Sequence, residues 1–188
     1  MAAVELEGPP SDRSLIERAG AGDARAFRIL VERYESQVAA TVIGMLGQGD
    51  EAEDVGQETF IRLYRSLDRF RGDSSLGTYL TRIAINLSLT ALKKRKTRLS
   101  RFVSRDERER ELPEASWDPR DEIDRKEAQK TVRAAVQRLA PDHRAVVVLR
   151  MIDGHSTRET AEILGVPPGT VMSRLARAMG RLELEMRE

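Results

Sequence analysis

The segment from residue 156 to residue 182 carries hydroxyl and guanidinium side chains at a spacing that suits contact with double-stranded DNA. Ser156 and Glu159 stand in capping-box spacing, which begins a helix, and Gly165 can adopt the left-handed conformation that ends one. A second helix is then predicted to bury one apolar stripe: Val171, Leu175, Met179 and Leu182. Two short helices joined by a glycine turn can place the second helix in a major groove.

Four of the five candidate duplex contacts of this helix-turn-helix, residues 157–177, lie on the polar side of the second helix. Arg174 and Arg177 are predicted to contact phosphates or guanine edges. Thr170 and Ser173 lie near the helix start, where backbone donors favour a phosphate. Arg158, near the start of the first helix, is placed to contact the DNA backbone. The alternative interpretation is an exposed basic helix with no nucleic-acid ligand.

A second polar surface follows the glycine loop at residues 71–75. The loop offers Arg71, Asp73 and Ser74, small and polar side chains that suit an unstacked base. The helix after it carries four polar residues away from its apolar stripe: Thr78, Arg82, Asn86 and Lys93. Arginine can neutralise a phosphate, whereas asparagine and threonine can bond base edges. An ordinary glycine turn followed by a solvated helix face is the alternative.

A third pattern combines acidic, amide and apolar side chains on one face of a predicted helix. Asp54, Gln57, Glu58 and Ile61 recur at the i, i+3, i+4, i+7 spacing of a helix face. Such a face suits docking of a basic partner helix, although a solvated face has the same pattern. A carboxylate-bridged metal site would need Glu-x-x-His pairs, and the first half of the chain contains no histidine. We predict no metal, no cofactor and no catalytic residue, so the protein is not expected to be an enzyme.

Composition limits the remaining possibilities. The chain has 188 residues, 40% hydrophobic and 34% charged, with a net charge of +1, so any DNA binding must come from local patches or a partner. The absence of cysteine excludes disulfides. The first residues lack the pattern of a signal peptide, and no apolar run approaches the roughly 20 residues of a membrane span. We therefore expect no membrane insertion and a cytoplasmic location.

Hydrophobic periodicity predicts an all-α fold of two small helical domains joined by a flexible linker. Residues 1–11 are expected to be a flexible N-terminus and residues 12–97 a four-helix domain, whose last helix turns Leu80, Ala84 and Leu87 inward. Residues 98–126 are rich in charges and contain two prolines, which predicts the linker. Residues 127–188 form the second four-helix domain. Its run from Val146 to Leu149 could be a strand, but Pro141 and Gly154 favour a helix.

Several segments in this order resemble the extracytoplasmic-function (ECF) class of bacterial RNA polymerase sigma factors. The resemblance extends from about Asp12 to Leu182 and is carried by four segments: Asp50–Tyr64, Phe70–Asn86, Leu139–Arg144 and Gly169–Leu175. It implies that residues 12–97 are a region 2 domain and that residues 127–188 are a region 4 domain. Within that family, the acidic face of the third helix contacts polymerase.

The resemblance also implies a division of labour. The first domain would bind the clamp of core RNA polymerase and open the minus-ten element, capturing the non-template strand with its loop and fourth helix. The second would contact the flap and read the minus-thirty-five element as duplex. The expected partners are core polymerase, promoter DNA and an anti-sigma factor. Two alternatives remain open: a stand-alone helix-turn-helix regulator that binds a palindrome as a dimer, and a helical protein-interaction adaptor.

Overall fold

A computed structural model of the chain describes residues 10–102 and 120–186, with side chains in 10–98 and 129–186. The N-terminal unit comprises α1 (Asp12–Gly20), α2 (Ala24–Leu46), α3 (Asp50–Arg65) and α4 (Leu76–Phe102), with a short 3-10 turn at Leu67–Arg69. The C-terminal unit comprises α5 (Arg120–Arg138), α6 (Pro141–Val147), a π-helical turn (Val148–Ile152), α7 (Thr157–Leu164) and α8 (Pro168–Glu185). No strand occurs in the described ranges, and the all-α prediction is confirmed.

Side chains that accept backbone N–H groups set the starts of the first helices. The Ser11 hydroxyl accepts from the Ser14 amide at 3.3 Å and begins α1. The Asp23 carboxylate accepts from the Arg25 and Ala26 amides at 2.9 and 3.1 Å and begins α2. These acceptors satisfy N–H groups that the first turn of a helix leaves without partners, so local sequence fixes both helix starts.

α2 is the central helix of the N-terminal unit and packs against α1, α3 and α4. Leu30, Val42, Leu63 and Leu80 are among the core residues that exclude solvent almost completely. The apolar stripes of α3 and α4 therefore face α2, and their opposite, polar sides remain available for partners.

The C-terminal unit packs α8 against α5, α6 and α7. The prediction that Met179 belongs to the buried stripe of α8 is wrong, because its side chain is 44% exposed while Ala178 is completely buried. An alanine lets α8 approach its neighbours closely, and the larger methionine beside it points outward. The run from Val146 to Leu149 is helical, as Pro141 and Gly154 indicate.

The predicted linker overlaps the ends of two helices. α4 continues to Phe102, and α5 already begins at Arg120. The rest of that prediction, residues 103–119, lies outside the described residues, as does most of the predicted N-terminal segment. None of the helices in 10–102 and 120–186 has the length and hydropathy needed to cross a bilayer.

The two units also contact each other, although the sequence pattern predicts only a linker between them. Met45 and Ile85 of the N-terminal unit are fully buried in one cluster with Val148 and Leu149 of the C-terminal unit. α2 contacts α5, α6 and the π-helical turn, and α4 contacts α6 and α7. The described chain is therefore closed, with a shared apolar core between its halves.

Candidate functional site

The helix-turn-helix has the capping geometry that its sequence predicts. The Glu159 amide donates to the Ser156 hydroxyl at 3.2 Å, and the Ser156 amide donates to the Glu159 carboxylate at 2.7 Å. Gly165 ends α7 at a φ of 64°, a conformation that costs little for glycine. Thr160 and Ala161 are buried, and α7 packs against α8. The turn therefore fixes the direction of α8 relative to α7.

Replacing Ser156 with alanine should destabilise this motif by about 1 kcal/mol, because the reciprocal capping arrangement is broken. Hydrogen bonds from Ser156 lower the pKa of the Glu159 carboxyl below its usual value. A lowered carboxyl pKa stabilises the fold above the pKa of the unfolded chain, and this contribution disappears as the pH falls through the folded pKa. Urea denaturation of the Ser156→Ala protein, followed by circular dichroism at neutral pH, measures the effect.

A matched variant separates the pH effect from the cap itself. Glu159→Gln keeps a side-chain acceptor for the Ser156 amide but removes the titrating carboxyl. Its stability should therefore respond less to acidification than that of the parent protein. An equal response of both proteins between neutral and acidic pH would contradict the capping account.

The DNA-facing candidates of the C-terminal unit are held to different extents, and we call Thr170, Ser173, Arg174, Arg177 and Arg158 the duplex-reading set. Arg174 donates to the Asp142 carboxylate at 2.9 Å, and its side chain is only 24% exposed. Arg177 is exposed, and the Ser173 hydroxyl donates to the Thr170 carbonyl at 3.0 Å. α8 thus presents one guanidinium that is fixed and another that can adapt to its ligand.

Arg158 lies apart from the rest of the duplex-reading set, in the first turn of α7. It is paired with Glu162 at 3.2 Å, and both side chains are well exposed. An exposed i, i+4 pair contributes little to stability and can exchange its partner readily. Arg158 is therefore available to a phosphate at the edge of a bound duplex.

The polar surface of α4 follows the glycine loop, and we call Arg71, Asp73, Ser74, Thr78, Arg82, Asn86 and Lys93 the strand-capture face. The Ser75 hydroxyl accepts from the Thr78 amide at 3.1 Å and lies 2.9 Å from the Thr78 hydroxyl. Gly72 adopts a φ of 74°, which turns the loop ahead of this helix start. Arg71 and Asp73 are exposed, and Ser74 is half-buried. The loop therefore lies at the N-terminal end of α4, where anions are favoured.

Arg82, Asn86 and Lys93 follow along the exposed side of the same helix. The Arg82 guanidinium lies 5.3 Å from the centre of the Tyr79 ring, within the range of a cation–π interaction. Tyr79 is itself partly buried, because it packs edge-to-face on Phe70 at 5.2 Å and donates to the Ser66 hydroxyl at 3.0 Å. Tyr79 thus supports Arg82 from the core.

The acidic face of α3 is solvent-accessible, and we call Asp54, Gln57, Glu58 and Ile61 the docking stripe. Asp54 and Gln57 are exposed, and Ile61 is 43% exposed despite its apolar side chain. Glu58 accepts from Arg62 at 3.0 Å within the same helix. An exposed isoleucine that follows two carboxylates on the same face offers both apolar area and negative charge to a partner.

The structure adds two residues that the sequence pattern did not indicate. Tyr64 is 54% exposed and extends the docking stripe by one helical turn, and its ring lies 5.0 Å from that of Phe27. Asp142 orients Arg174 across the gap between α6 and α8. The i+3 spacing of Tyr64 from Ile61 could have identified the first, whereas the second depends on a tertiary contact.

The three candidate surfaces lie on different elements: the docking stripe on α3, the strand-capture face on α4 and its loop, and the duplex-reading set on α7 and α8. Their exposed groups are donors, acceptors and charges, which can bind nucleic acid and protein. Within the described ranges, no group of three or more histidine, aspartate and glutamate residues could hold a metal ion.

Comparisons with known proteins show which family the chain is related to. The family model for Sigma-70 region 2 matches residues 30–98, and the model for Sigma-70, region 4 matches residues 129–182. The RNA polymerase sigma-H factor of Pseudomonas aeruginosa is 38% identical over 172 residues, which are 89% of each chain. The ECF RNA polymerase sigma-E factor of Escherichia coli K12 is 40% identical over 174 residues, covering 89% of this chain and 90% of that one.

A solved structure resembles the chain over nearly its whole length. The structure of CnrH in complex with the cytosolic domain of CnrY matches with a TM-score of 0.65 and 28% sequence identity. The match covers 94% of this chain and 97% of that one. Both helical units therefore have counterparts in a single known protein.

Proposed function

Since the chain belongs to the extracytoplasmic-function RNA polymerase sigma factors, a family of transcription-initiation factors, we propose that it directs core polymerase to specific promoters and starts their melting. The observation that carries the proposal is the capped helix-turn-helix, which presents Arg174 and Arg177 on α8. In this proposal the protein performs no catalysis and supplies recognition to a polymerase that does.

The domain roles follow the three surfaces. Residues 12–97 bind the polymerase clamp through the docking stripe and open the minus-ten element with the strand-capture face. Residues 127–188 approach the flap and read the minus-thirty-five element with the duplex-reading set. Residues 98–126 connect them. The net charge of +1 supports this dependence on polymerase, because the free chain has little long-range attraction for DNA.

One further partner and a location complete the proposal. CnrH is bound to a second protein in its structure, and we infer that this chain is likewise controlled by an anti-sigma factor that masks its exposed surfaces. A factor that works on bacterial polymerase acts in the cytoplasm. No cofactor takes part in any of these steps.

The docking stripe provides a direct test of polymerase binding. Replacing both Asp54 and Glu58 with alanine should weaken association with core polymerase by about tenfold or more, since truncating a central interface residue costs on the order of 2 kcal/mol. Both side chains lie on the surface of α3, so the fold should persist. Affinity is measured by fluorescence titration with core polymerase at fixed salt.

Glu35→Ala is the matched control, because Glu35 is an exposed acid on α2 outside the docking stripe. It should bind polymerase as the parent protein does. If the double variant also binds like the parent protein, the proposed role of the docking stripe is wrong.

A further inference from the structure

The first turns of α8 place one long apolar side chain beside the duplex-reading set. Met172 is 62% exposed, more than any other large hydrophobic side chain in the described part of the chain. Its neighbour Val171 is completely buried in a cluster with Val146 of α6 and Ala161 of α7. Val171 therefore holds α8 on its own unit, whereas most of the Met172 side chain remains available to a ligand.

The outward side of α8 has two flanks of different chemistry. At about 3.6 residues per turn, Pro168, Met172 and Met179 follow one flank, which we call the apolar flank, and Arg174 and Arg177 follow the other. The ridge between the flanks carries four exposed small residues: Gly169, Ser173, Ala176 and Gly180. A Cβ atom at either glycine would have no neighbour within 4 Å. Because this ridge is low, the long side chains on its flanks reach furthest into a groove that α8 occupies.

The apolar flank offers little to the polar edge of a base pair. A thioether has no hydrogen to donate, and its sulfur is a weak acceptor. The Ser173 hydroxyl, next to Met172 in the chain, donates to the Thr170 carbonyl at 3.0 Å, so its hydrogen is used within the helix. A guanine or cytosine edge covered by this flank would lose water without gaining a partner, which costs free energy.

Thymine is the base that presents a complementary group to Met172. In the major groove it differs from the other three bases by its C5-methyl group. Methionine is unbranched, and its side chain can adjust to pack against such a group. Contact between the two removes apolar surface from water, which stabilises the complex. The chemistry of the apolar flank therefore favours a thymine opposite Met172.

We propose that Met172 is a specificity-determining residue, which contacts the C5-methyl group of a thymine in the minus-thirty-five element. The proposal rests on the function proposed above and adds the chemistry of one recognised base. Arg174 and Arg177 supply charge and hydrogen bonds on one flank of α8, and Met172 supplies an apolar contact on the other. The promoters of this protein then share an A·T pair at one position, with its thymine on the strand that faces Met172.

Selection from randomised duplexes identifies that position. Polymerase holoenzyme containing the parent protein, Met172→Ala or Met172→Leu is mixed with duplexes randomised across the minus-thirty-five element, and the bound duplexes are sequenced. The parent protein should require thymine at one position, and Met172→Ala should lose that preference while keeping the others. Met172→Leu keeps an apolar side chain and should retain the preference. Because Met172 is exposed, both variants should keep the fold.

Deoxyuridine then tests the methyl group itself. Replacing the selected thymine with deoxyuridine removes only the C5-methyl group and leaves every hydrogen-bonding group of the base in place. The affinity of the parent holoenzyme should fall about fourfold, the effect expected for one buried methyl-sized group. The Met172→Ala holoenzyme should bind the thymine and deoxyuridine duplexes equally well. Titration of the two labelled duplexes at fixed salt measures both affinities.

Met186→Ala is the matched control, because Met186 is also exposed and lies about 21 Å further along the helix axis. It should keep the thymine preference and the fourfold response to deoxyuridine. Equal responses of the parent and Met172→Ala proteins to deoxyuridine would overturn the proposal. A selection whose preferences are the same in both proteins refutes this inference alone, whereas a parent holoenzyme that selects no sequence refutes the proposed function.

Discussion

Replacing both Arg174 and Arg177 with alanine should weaken binding to the minus-thirty-five duplex by about 30-fold or more, because each arginine contact contributes on the order of 1–3 kcal/mol. Arg174 is oriented by Asp142, so little of its side-chain freedom has to be given up on binding. If either arginine binds a phosphate, the slope of the salt dependence should also fall by about one for each phosphate that is no longer neutralised. Both quantities come from titrations of labelled promoter duplex with the polymerase holoenzyme at several salt concentrations.

Arg181→Ala is the control for this experiment. Arg181 lies on the same helix, carries the same charge and is paired with Glu185 at 3.0 Å, outside the duplex-reading set. Its replacement should change affinity much less than the double replacement does. An equal reduction of affinity in the two proteins would indicate a general effect of charge and contradict a specific role for Arg174 and Arg177.

Replacing both Arg82 and Asn86 with alanine should impair promoter melting while leaving duplex recognition intact. The two side chains lie on the exposed side of α4. Arginine and asparagine contacts to phosphate, base edges and unstacked bases contribute about 1–3 kcal/mol each. Binding of the holoenzyme to a single-stranded minus-ten oligonucleotide should therefore fall by about tenfold or more. Permanganate reactivity of thymines in the duplex promoter should fall with it.

The two double variants together form a crossed test. The Arg174 and Arg177 variant should keep its affinity for the single-stranded oligonucleotide, and the Arg82 and Asn86 variant should keep its affinity for the minus-thirty-five duplex. Thr90→Ala serves as a control on α4, since Thr90 is exposed there and its hydroxyl donates to the Asn86 carbonyl. A variant that binds neither DNA would indicate misfolding or a shared site.

Features that depend on local sequence were predictable. Ser156 and Glu159 satisfy each other within one turn, and Gly165 needs only its own backbone freedom, so their spacing was sufficient. The all-helical fold follows from the same local periodicity. The assignment of residues to the three candidate surfaces stays a prediction, because exposure on the correct helix face agrees with it but does not test it.

Features that depend on distant contacts were not predictable in the same way. α4 has a second apolar face, and Ile85 on that face is fully buried against the C-terminal unit. Helical periodicity assigned the inward stripe to Leu80 and Ala84 and left Ile85 without a role. Met179 was misassigned for a related reason: packing in this unit admits only the small Ala178 at the buried position.

The capping of α2 shows why sequence alone could not reveal the contact between the two units. Gln137 and Arg144 are ordinary polar residues of α5 and α6 in the sequence, and no spacing relates them to Gly44 and Met45 about a hundred positions earlier. Their hydrogen bonds of 2.8 and 2.6 Å exist only once the units meet. The sequence held one sign of this contact: the last turn of α2 contains no basic residue. The helix therefore has no side chain of its own to cap the Gly44 and Met45 carbonyls.

Run-off transcription with sigma-free core polymerase tests the central claim most directly. Core polymerase is supplied with a library of duplex promoters, with and without this protein, and the transcripts are sequenced. The account predicts transcripts that start at a defined set of promoters only when the protein is present, and that disappear with the Arg174 and Arg177 variant. Transcription that is unchanged by the protein would contradict the account.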